Sequence, residues 1–380
     1  MAYTRVYWRP SQAPTGAIVV LALLSLGGLL MVETMRRQDS SADFGKMAAA
    51  AEQTQQAMEY VGSLRKQIRR VDADVDPQES GLIGIASSPI TSLSGNLQAK
   101  QTTINPNWAA VMVRMLRDAG VKQGDTVAVA VSGSFPALNL ALYSAMEQLG
   151  ARPLVIVSGS ASQWGANVPG LNWLDMSREL RAAGLITTRE IAASLGGAED
   201  RGIGVSERGH TIIKNAIKNS GLQFLMSATL EESVAKRIAL YTQYAYNQPI
   251  RAYINIGGGS ASTGPASIDQ YFEGGVITSA QPKAFAVESV MGHFLQESVP
   301  VINLSGIATI ARRYGLPLTP MVKQSIGSGG VYNTASYRTW LAGFWIIFIL
   351  ILLYMITRIS GVVSSFDKGD SSSKKVQPTI

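Results

Sequence analysis

The sequence of 380 residues contains no cysteine. This absence excludes disulfide bonds, cysteine-ligated zinc, iron–sulfur clusters and thiol nucleophiles. Only two histidines are present, His210 and His293, so a histidine metal site has few ligands to draw on, and we expect no metal and no cofactor. Charged residues make up 16% of the chain, against roughly 25% in an average soluble domain. The net charge of +7 is mild and scattered, so nucleic acid is not an expected partner.

What the sequence has instead is two long uncharged apolar runs, one near each end. They extend from Ala17 to Val32 and from Trp340 to Ile356. As a helix, each run covers roughly 25 Å, and flanking uncharged residues bring it to the thickness of a bilayer core. We therefore predict transmembrane helices at residues 15–33 and 339–357.

Each run has an alternative interpretation. The first run resembles the apolar part of a cleaved signal peptide, but Glu33 and the residues after it offer no small-x-small cleavage site, which favours an uncleaved anchor. The second run could be a buried core helix. Because it is apolar on every face and is followed by Arg358, a membrane span is favoured.

The charges beside the two spans indicate an orientation. Basic residues flank the outer ends at Arg5, Arg9, Arg358, Lys368, Lys374 and Lys375, and the inner ends at Arg36, Arg37, Lys46 and Arg338. This modest excess on the outer flanks predicts cytoplasmic segments at 1–14 and 358–380. The remaining, cysteine-free region would then be extracytoplasmic, on the far side of the inner (cytoplasmic) membrane.

Residues 34–76 have the pattern of an amphipathic stalk helix. Apolar and small residues recur at helical spacing, at Met47, Ala51, Thr54, Met58, Val61 and Ile68. A basic cluster, Arg65, Lys66, Arg69 and Arg70, closes the helix. It could bind an anionic polymer or lipid headgroups; the favoured interpretation is a solvated helix end that complements the helix dipole.

We predict an α/β domain at residues 77–338, with a mostly parallel sheet and crossover helices. In this region short β-branched runs bounded by glycine alternate with helical patterns. The predicted strands are Thr126–Val131, Pro153–Val157, Arg251–Ile256 and Val299–Leu304. The predicted helices are Trp108–Ala119, Pro136–Leu149, Leu174–Ala183, Thr188–Leu195, Ser206–Asn219, Thr229–Tyr246 and Ile307–Tyr314.

Loops rich in serine and glycine follow all four predicted strands. Since the carboxyl ends of parallel strands meet at one edge of a sheet, we expect these loops to form a crevice for carboxylate or phosphate groups. The alternative is purely structural, because strand ends need glycine to turn and serine to cap a helix. The predicted ligand-binding residues are Ser132, Gly133, Ser134, Ser158, Ser160, Gly257, Gly258, Gly259, Ser260 and Ser305.

Catalysis has weaker support in the sequence. Ser134 and Ser260 are candidate nucleophiles, although neither lies in a complete G-x-S-x-G elbow. His210 and His293 are the candidate bases, although a lone histidine is more often structural than catalytic. An extracytoplasmic serine-dependent hydrolase or transferase therefore stays the alternative to a non-enzymatic protein.

Several segments together resemble the poly-gamma-glutamate system protein family, which comprises bacterial membrane proteins associated with poly-γ-glutamate synthesis. The resemblance rests on the N-terminal and C-terminal anchors and on the segments INPNWAAVMVRMLRDAGVKQGDTVAVAVSGSFPALN (104–139), LVIVSGSASQWGAN (154–167), GVSERGHTIIKNAI (204–217) and INIGGGSAS (254–262). It covers nearly the whole chain.

The resemblance implies an accessory role in making or exporting the polymer. The expected partners are the membrane-bound poly-γ-glutamate synthase components, the lipid bilayer and the poly-γ-glutamate chain itself. The resemblance supplies no catalytic residues. If the protein is instead a serine-dependent hydrolase or transferase, the resemblance implies that it acts on γ-glutamyl chains.

Overall fold

The structure is a computed structural model that describes residues 15–257 and 259–366. The predicted segment 1–14, most of the predicted tail 358–380, and Gly258 lie outside the described residues. The chain divides into two compact units, of which one contains Ser41–Tyr332 and the other combines the segments on either side of it.

The described part of the chain contains these elements in order. The helices are α1 (Thr15–Thr34), α2 (Phe44–Ile68), α3 (Leu97–Thr103), α4 (Trp108–Asp118), α5 (Pro136–Leu149), α6 (Trp173–Ala182), α7 (Glu207–Asn219), α8 (Leu230–Ala245), α9 (Ser260–Thr263), α10 (Ala266–Asp269), α11 (Val290–Gln296), α12 (Ile307–Arg313) and α13 (Thr339–Phe366). The strands are β1 (Arg37–Ser40), β2 (Thr91–Leu93), β3 (Thr126–Ser132), β4 (Arg152–Ser158), β5 (Ala161–Ser162), β6 (Asn167–Val168), β7 (Leu171–Asn172), β8 (Glu190–Ser194), β9 (Gln223–Leu225), β10 (Ile250–Ile256), β11 (Gly275–Ile277), β12 (Val301–Leu304) and β13 (Asn333–Ser336).

The terminal unit is a pair of apolar helices. Both α1 and the first part of α13, to Arg358, have a mean hydropathy of 2.4 over their most apolar stretch, and both are long and apolar enough to cross a membrane. A Cβ atom added to Gly28 would lie 2.8 Å from the Trp345 ring, so the helices are in close contact there. Small residues allow such close approach between membrane helices.

A short ribbon and a polar cluster join one end of α1 to one end of α13. Strand β1 pairs antiparallel with β13. Beside the ribbon, Arg36 donates a hydrogen bond of 2.7 Å to the Tyr337 hydroxyl, which in turn donates to Glu33 at 3.1 Å. The end of α1 and the start of α13 are therefore neighbours within this unit.

The central unit is built on a seven-stranded sheet in the order β11-β12-β10-β3-β4-β8-β9. Every neighbouring pair is parallel except β11 with β12, so the predicted α/β class with a mostly parallel sheet is confirmed. All four predicted strands are present, as β3, β4, β10 and β12. The helix predicted at Thr188–Leu195 was wrong, because Glu190–Ser194 forms strand β8 and pairs with β4.

The central strands are apolar throughout because both faces of the sheet are covered. On β3, Val127, Val129 and Val131 face one hydrophobic core, while Ala128 and Ala130 face the other. This alternation accounts for a strand in which all seven residues are buried.

Helix α2 belongs to the first of these cores. It packs against α4 and α5, and most of its predicted apolar stripe, including Met47, Ala51 and Val61, is buried there, whereas Ile68 at its end is exposed. At its end, Lys66 and Arg69 are exposed, whereas Arg65 is buried. The apolar side of α2 is therefore part of the core of the α/β domain.

The order of the strands creates a topological switch point. The chain moves outward from β3 through β4, β8 and β9, and then returns to place β10 on the other side of β3. The loops that follow β3 and β10 consequently diverge to opposite faces of the sheet. In open α/β sheets, ligands bind in the crevice that this divergence opens at the carboxyl ends of the strands.

Candidate functional site

A cavity of about 300 Å³ lies at the switch point. Loops after three neighbouring strands bring serine hydroxyls to it, and we call it the switch-point cavity. Among the residues that line it are Ser132, Ser134, Ser158, Ser160, Ser162, Gly257, Gly259, Ser260, Lys100 and Asp269. The structure thus gathers in one place most of the residues predicted to bind a ligand.

The remaining predicted binding residues lie beside the cavity or outside the described chain. Ser305 lines a neighbouring cavity of about 630 Å³ that shares Phe135, Gly257 and Asp269 with the first. Gly133 supports the loop, since a Cβ atom there would lie 3.0 Å from the Ala161 methyl group. The two cavities are therefore adjacent.

The two histidines, His210 and His293, lie outside the lining of the switch-point cavity. The ring of His210 forms a hydrogen bond of 2.9 Å with the Gly202 carbonyl. His293 lines a pocket beside α8 and contacts Phe294 with its ring centroid 5.4 Å away. Neither of these described side chains lines the switch-point cavity, so neither is placed to take a proton from Ser134 or Ser260.

Two glycines keep the serine hydroxyls close together. Gly257 has φ +84°, and a Cβ atom there would lie 2.3 Å from the Ser132 hydroxyl oxygen. Gly196 has φ +73°, and its Cβ would lie 2.6 Å from the Ser160 hydroxyl. Glycine adopts this backbone conformation at low cost and also leaves the space free.

Lys100 is a functional group that sequence analysis missed. It extends from α3 and is only 3% exposed. Its Nζ donates to the Ser134 carbonyl at 2.5 Å and to the Ser162 hydroxyl at 2.9 Å. Burial lowers the pKa of Lys100 from 10.5 to about 7. No motif in the sequence distinguished this lysine.

A buried ion pair, Asp200 with Arg237, was also missed. The Arg237 guanidinium donates to both carboxylate oxygens of Asp200, and both side chains are 2% exposed. The same Nη2 donates to Ser194 at 2.8 Å and to Ser158 at 3.3 Å. The ion pair therefore adjoins a serine of the switch-point cavity. Only the tertiary fold brings Asp200 and Arg237 together.

Comparison with known proteins does not assign the site. No family model matches the chain, and no curated protein matches it. Among solved structures, the chain has a match to the crystal structure of an archaeal alanine:glyoxylate aminotransferase, at 14% sequence identity and a TM-score of 0.18. The match covers 76% of this chain and 58% of the aminotransferase chain. A likeness at this TM-score carries no conclusion about fold or function.

The hydrogen bonds around the cavity leave donors available to a ligand. The Ser134 hydroxyl accepts from the Ser162 backbone N–H at 3.1 Å, and Ser158 accepts from Arg237, so each keeps its own O–H to donate. Ser160 forms no side-chain hydrogen bond within the described part of the chain. A set of hydroxyl donors of this kind complements a carboxylate or phosphate, which only accepts hydrogen bonds.

An acid group lies where the two cavities meet. Asp269 lines both of them, and burial raises the pKa of its carboxyl group above 3.8, against the hydrogen bond from Thr263 that lowers it. Among residues 15–257 and 259–366, no cluster of three or more His, Asp or Glu side chains could hold a metal ion.

Proposed function

We propose that this protein is a membrane-anchored accessory protein of poly-γ-glutamate biosynthesis or export whose α/β domain binds glutamyl carboxylates. The observation that carries the proposal is the switch-point cavity, in which Ser134, Ser158 and Ser160 have hydroxyls free to donate. An anionic ligand needs such donors, and glutamyl groups supply carboxylates at regular intervals. The choice of polymer rests on the resemblance in the sequence.

Electrostatics support an anion at this position. Arg237 donates to Ser158, and a hydroxyl that accepts from a guanidinium becomes a stronger donor through its own O–H. Asp200 balances the charge of Arg237 and keeps the guanidinium in place. A carboxylate next to Ser158 would therefore meet a polarised hydroxyl.

The size of the cavities suits a short piece of polymer. The volume of about 300 Å³ lies at the lower end of the range for small-molecule sites, and the adjoining 630 Å³ gives room for a second residue. A γ-linked chain that passes from one cavity to the other would come close to Asp269, which lines both.

The two apolar helices support the membrane part of the proposal. In this scheme α1 and α13 anchor the protein in the inner membrane, the α/β domain lies outside the cytoplasm, and the synthase components are its neighbours. The flanking basic residues favour this orientation. The growing polymer would then leave the membrane close to the domain that binds it.

The test measures the amount and chain length of secreted poly-γ-glutamate in a deletion strain. The strain is complemented with the wild type, with the Ser158→Ala/Ser160→Ala variant, or with Ser63→Ala, an exposed serine on α2, as control. We expect deletion to reduce the polymer, Ser63→Ala to restore it and the double variant to restore it only partly. Normal output from the deletion strain would reject the proposal.

Calorimetry on the full-length protein in detergent tests the ligand directly. γ-Glutamyl-glutamate should release heat with the wild type and with Ser63→Ala. Because two hydroxyl donors are lost, the double variant should bind at least about tenfold more weakly, which corresponds to about 1.4 kcal/mol. Equal affinity of all three proteins would place the ligand elsewhere.

A further inference from the structure

The contacts of Lys100 determine which neighbour can give a proton to its amine. The Nζ atom lies 2.5 Å from the Ser134 carbonyl oxygen, 2.9 Å from the Ser162 hydroxyl oxygen, and 3.5 Å from the centre of the Phe135 ring. A carbonyl oxygen and the face of an aromatic ring both require a donor. As an ammonium, Lys100 donates to Ser162 as well as to these two neighbours. As a neutral amine it has two N–H groups for the carbonyl and the ring, which leaves its lone pair for the O–H of Ser162.

We infer that Ser162 and Lys100 form a nucleophile–base pair that cleaves an amide bond of an acyl ligand held in the switch-point cavity. Both side chains line the cavity, and their reacting atoms are within hydrogen-bond distance. Serine–lysine pairs support acyl transfer in proteins that use no histidine. That the bond is a γ-glutamyl amide rests on the function proposed above.

Burial of Lys100 favours the neutral amine that such a base requires. Burial brings the pKa of Lys100 to about 7, and within the described chain it forms no salt bridge that would counter this effect. Asp269 is the other titratable side chain of the cavity, and Arg312, on the neighbouring helix α12, lines only the adjacent one. A base is most effective when its pKa is close to the working pH.

The chain that follows Ser162, at the end of β5, is held in a constrained conformation. Trp164, two residues later, has φ +64°, which is uncommon for a residue with a side chain. A Cβ atom on Gly165 would lie 2.6 Å from the Gly133 carbonyl oxygen, so this loop packs tightly on the one that carries Ser134. The Gln163 backbone N–H donates to Leu93 at 2.9 Å. Constrained backbone of this kind fixes a reacting group in place.

The chemical steps balance with water as the second substrate. Ser162 loses its proton to the neutral amine of Lys100 as its oxygen bonds to the amide carbon. The carbon–nitrogen bond then breaks, and the Lys100 ammonium returns the proton to the leaving amine. This leaves an acyl ester on Ser162 and a neutral lysine. Lys100 next takes a proton from water, whose oxygen adds to the ester carbon, and the carbon–oxygen bond to Ser162 breaks as the proton returns to the serine.

A fluorophosphonate probe tests the pair, because it reacts covalently with activated serines. The full-length protein in detergent is incubated with biotinylated fluorophosphonate, and the modified residue is found by peptide mass spectrometry. We expect modification at Ser162, its loss in Ser162→Ala, and labelling at least about 100-fold slower in Lys100→Met. The labelling rate of the wild type should rise with pH, with a midpoint near 7, because only the neutral amine accepts the proton.

Controls separate the possible outcomes. Ser63→Ala should label like the wild type, and thermal unfolding shows whether each variant is folded. Label on Ser134 or Ser260, or labelling unchanged in Ser162→Ala, would overturn the pair. A protein that binds γ-glutamyl-glutamate in calorimetry but is not labelled keeps the proposed function and loses this inference. Labelling at Ser162 without dipeptide binding would support the pair and reject the proposed ligand.

Discussion

The Arg237 guanidinium and the Asp200 carboxylate form an ion pair that is satisfied on both sides while almost completely buried. The Nη2 atom of Arg237 lies 2.9 and 3.1 Å from the two oxygens of Asp200. Ser194 and Ser233 donate their hydroxyls to the same carboxylate. Asp200 also has φ +59°, so both its backbone and its side chain are constrained.

We predict that Asp200→Asn destabilises the protein by about 3 kcal/mol or more, because it leaves the Arg237 charge buried without a counter-ion. Asparagine tolerates the positive φ, so the effect reports the charge rather than the backbone. Urea unfolding followed by fluorescence measures it. Glu199→Gln is the matched control, since the Glu199–Arg201 pair is exposed and should contribute less than about 1 kcal/mol. Equal losses in the two variants would contradict this prediction.

We predict that Gly257→Ala abolishes ligand binding and destabilises the domain. The new methyl group would strain a left-handed residue and collide with the Ser132 hydroxyl, 2.3 Å away. Gly170→Ala is the control, since Gly170 has the same φ of +84° with nothing within 4 Å of the added atom. It should lose only about 1–2 kcal/mol of backbone energy and keep its affinity for γ-glutamyl-glutamate. Calorimetry measures the affinity and thermal unfolding measures the stability of each variant. Equal affinity and equal stability in Gly257→Ala and Gly170→Ala would contradict the predicted collision.

We predict that Lys100→Met raises stability most at and below neutral pH. The pKa of Lys100 is about 7 in the folded protein and 10.5 as a model value, so between these values the unfolded chain binds more protons. The stability of the wild type therefore rises with pH across this window. The advantage of methionine should be on the order of a few kcal/mol at pH 7 and should shrink toward pH 10.5. Thermal unfolding at a series of pH values measures the difference, and a constant difference would show that folding does not lower the pKa of Lys100.

The absence of cysteine allows a direct test of membrane orientation. A single cysteine at Ser63, which is exposed on α2, should react in intact cells with a membrane-impermeant maleimide if the α/β domain is extracytoplasmic. A cysteine at Ser372, in the tail predicted to be cytoplasmic, should react only after the cells are opened. The reverse pattern would place the domain in the cytoplasm and reject the proposed orientation.

The sheet was predictable because its central strands carry a strong local signal. The runs that form β3 and β10 are β-branched or apolar and bounded by glycine, which indicated buried parallel strands before any contact was known. The switch-point loops followed from the same pattern. Strand β8 was not predictable, because its sequence EIAAS also suits a helix and its conformation depends on pairing with β4.

The charged groups of the site could not be read from the sequence. Lys100 lies on the seven-residue helix α3, and Ser162 ends strand β5, 62 positions later. Nothing in either local sequence indicates that the lysine is buried. Local sequence was sufficient for the serine loops because each follows its own strand, whereas the lysine reaches the cavity only through tertiary packing.

The pairing of β3 with β10, which are distant in sequence, affects how the domain folds during synthesis. Ala128 on β3 pairs with Tyr253 on β10, and the intervening chain must be synthesised before that edge of β3 can be covered. At roughly 5–20 residues per second, the edge stays open for on the order of ten seconds. Contacts so distant in sequence also slow folding. The nascent domain therefore presents an apolar, unpaired strand edge during synthesis, and such an edge can pair wrongly with other chains.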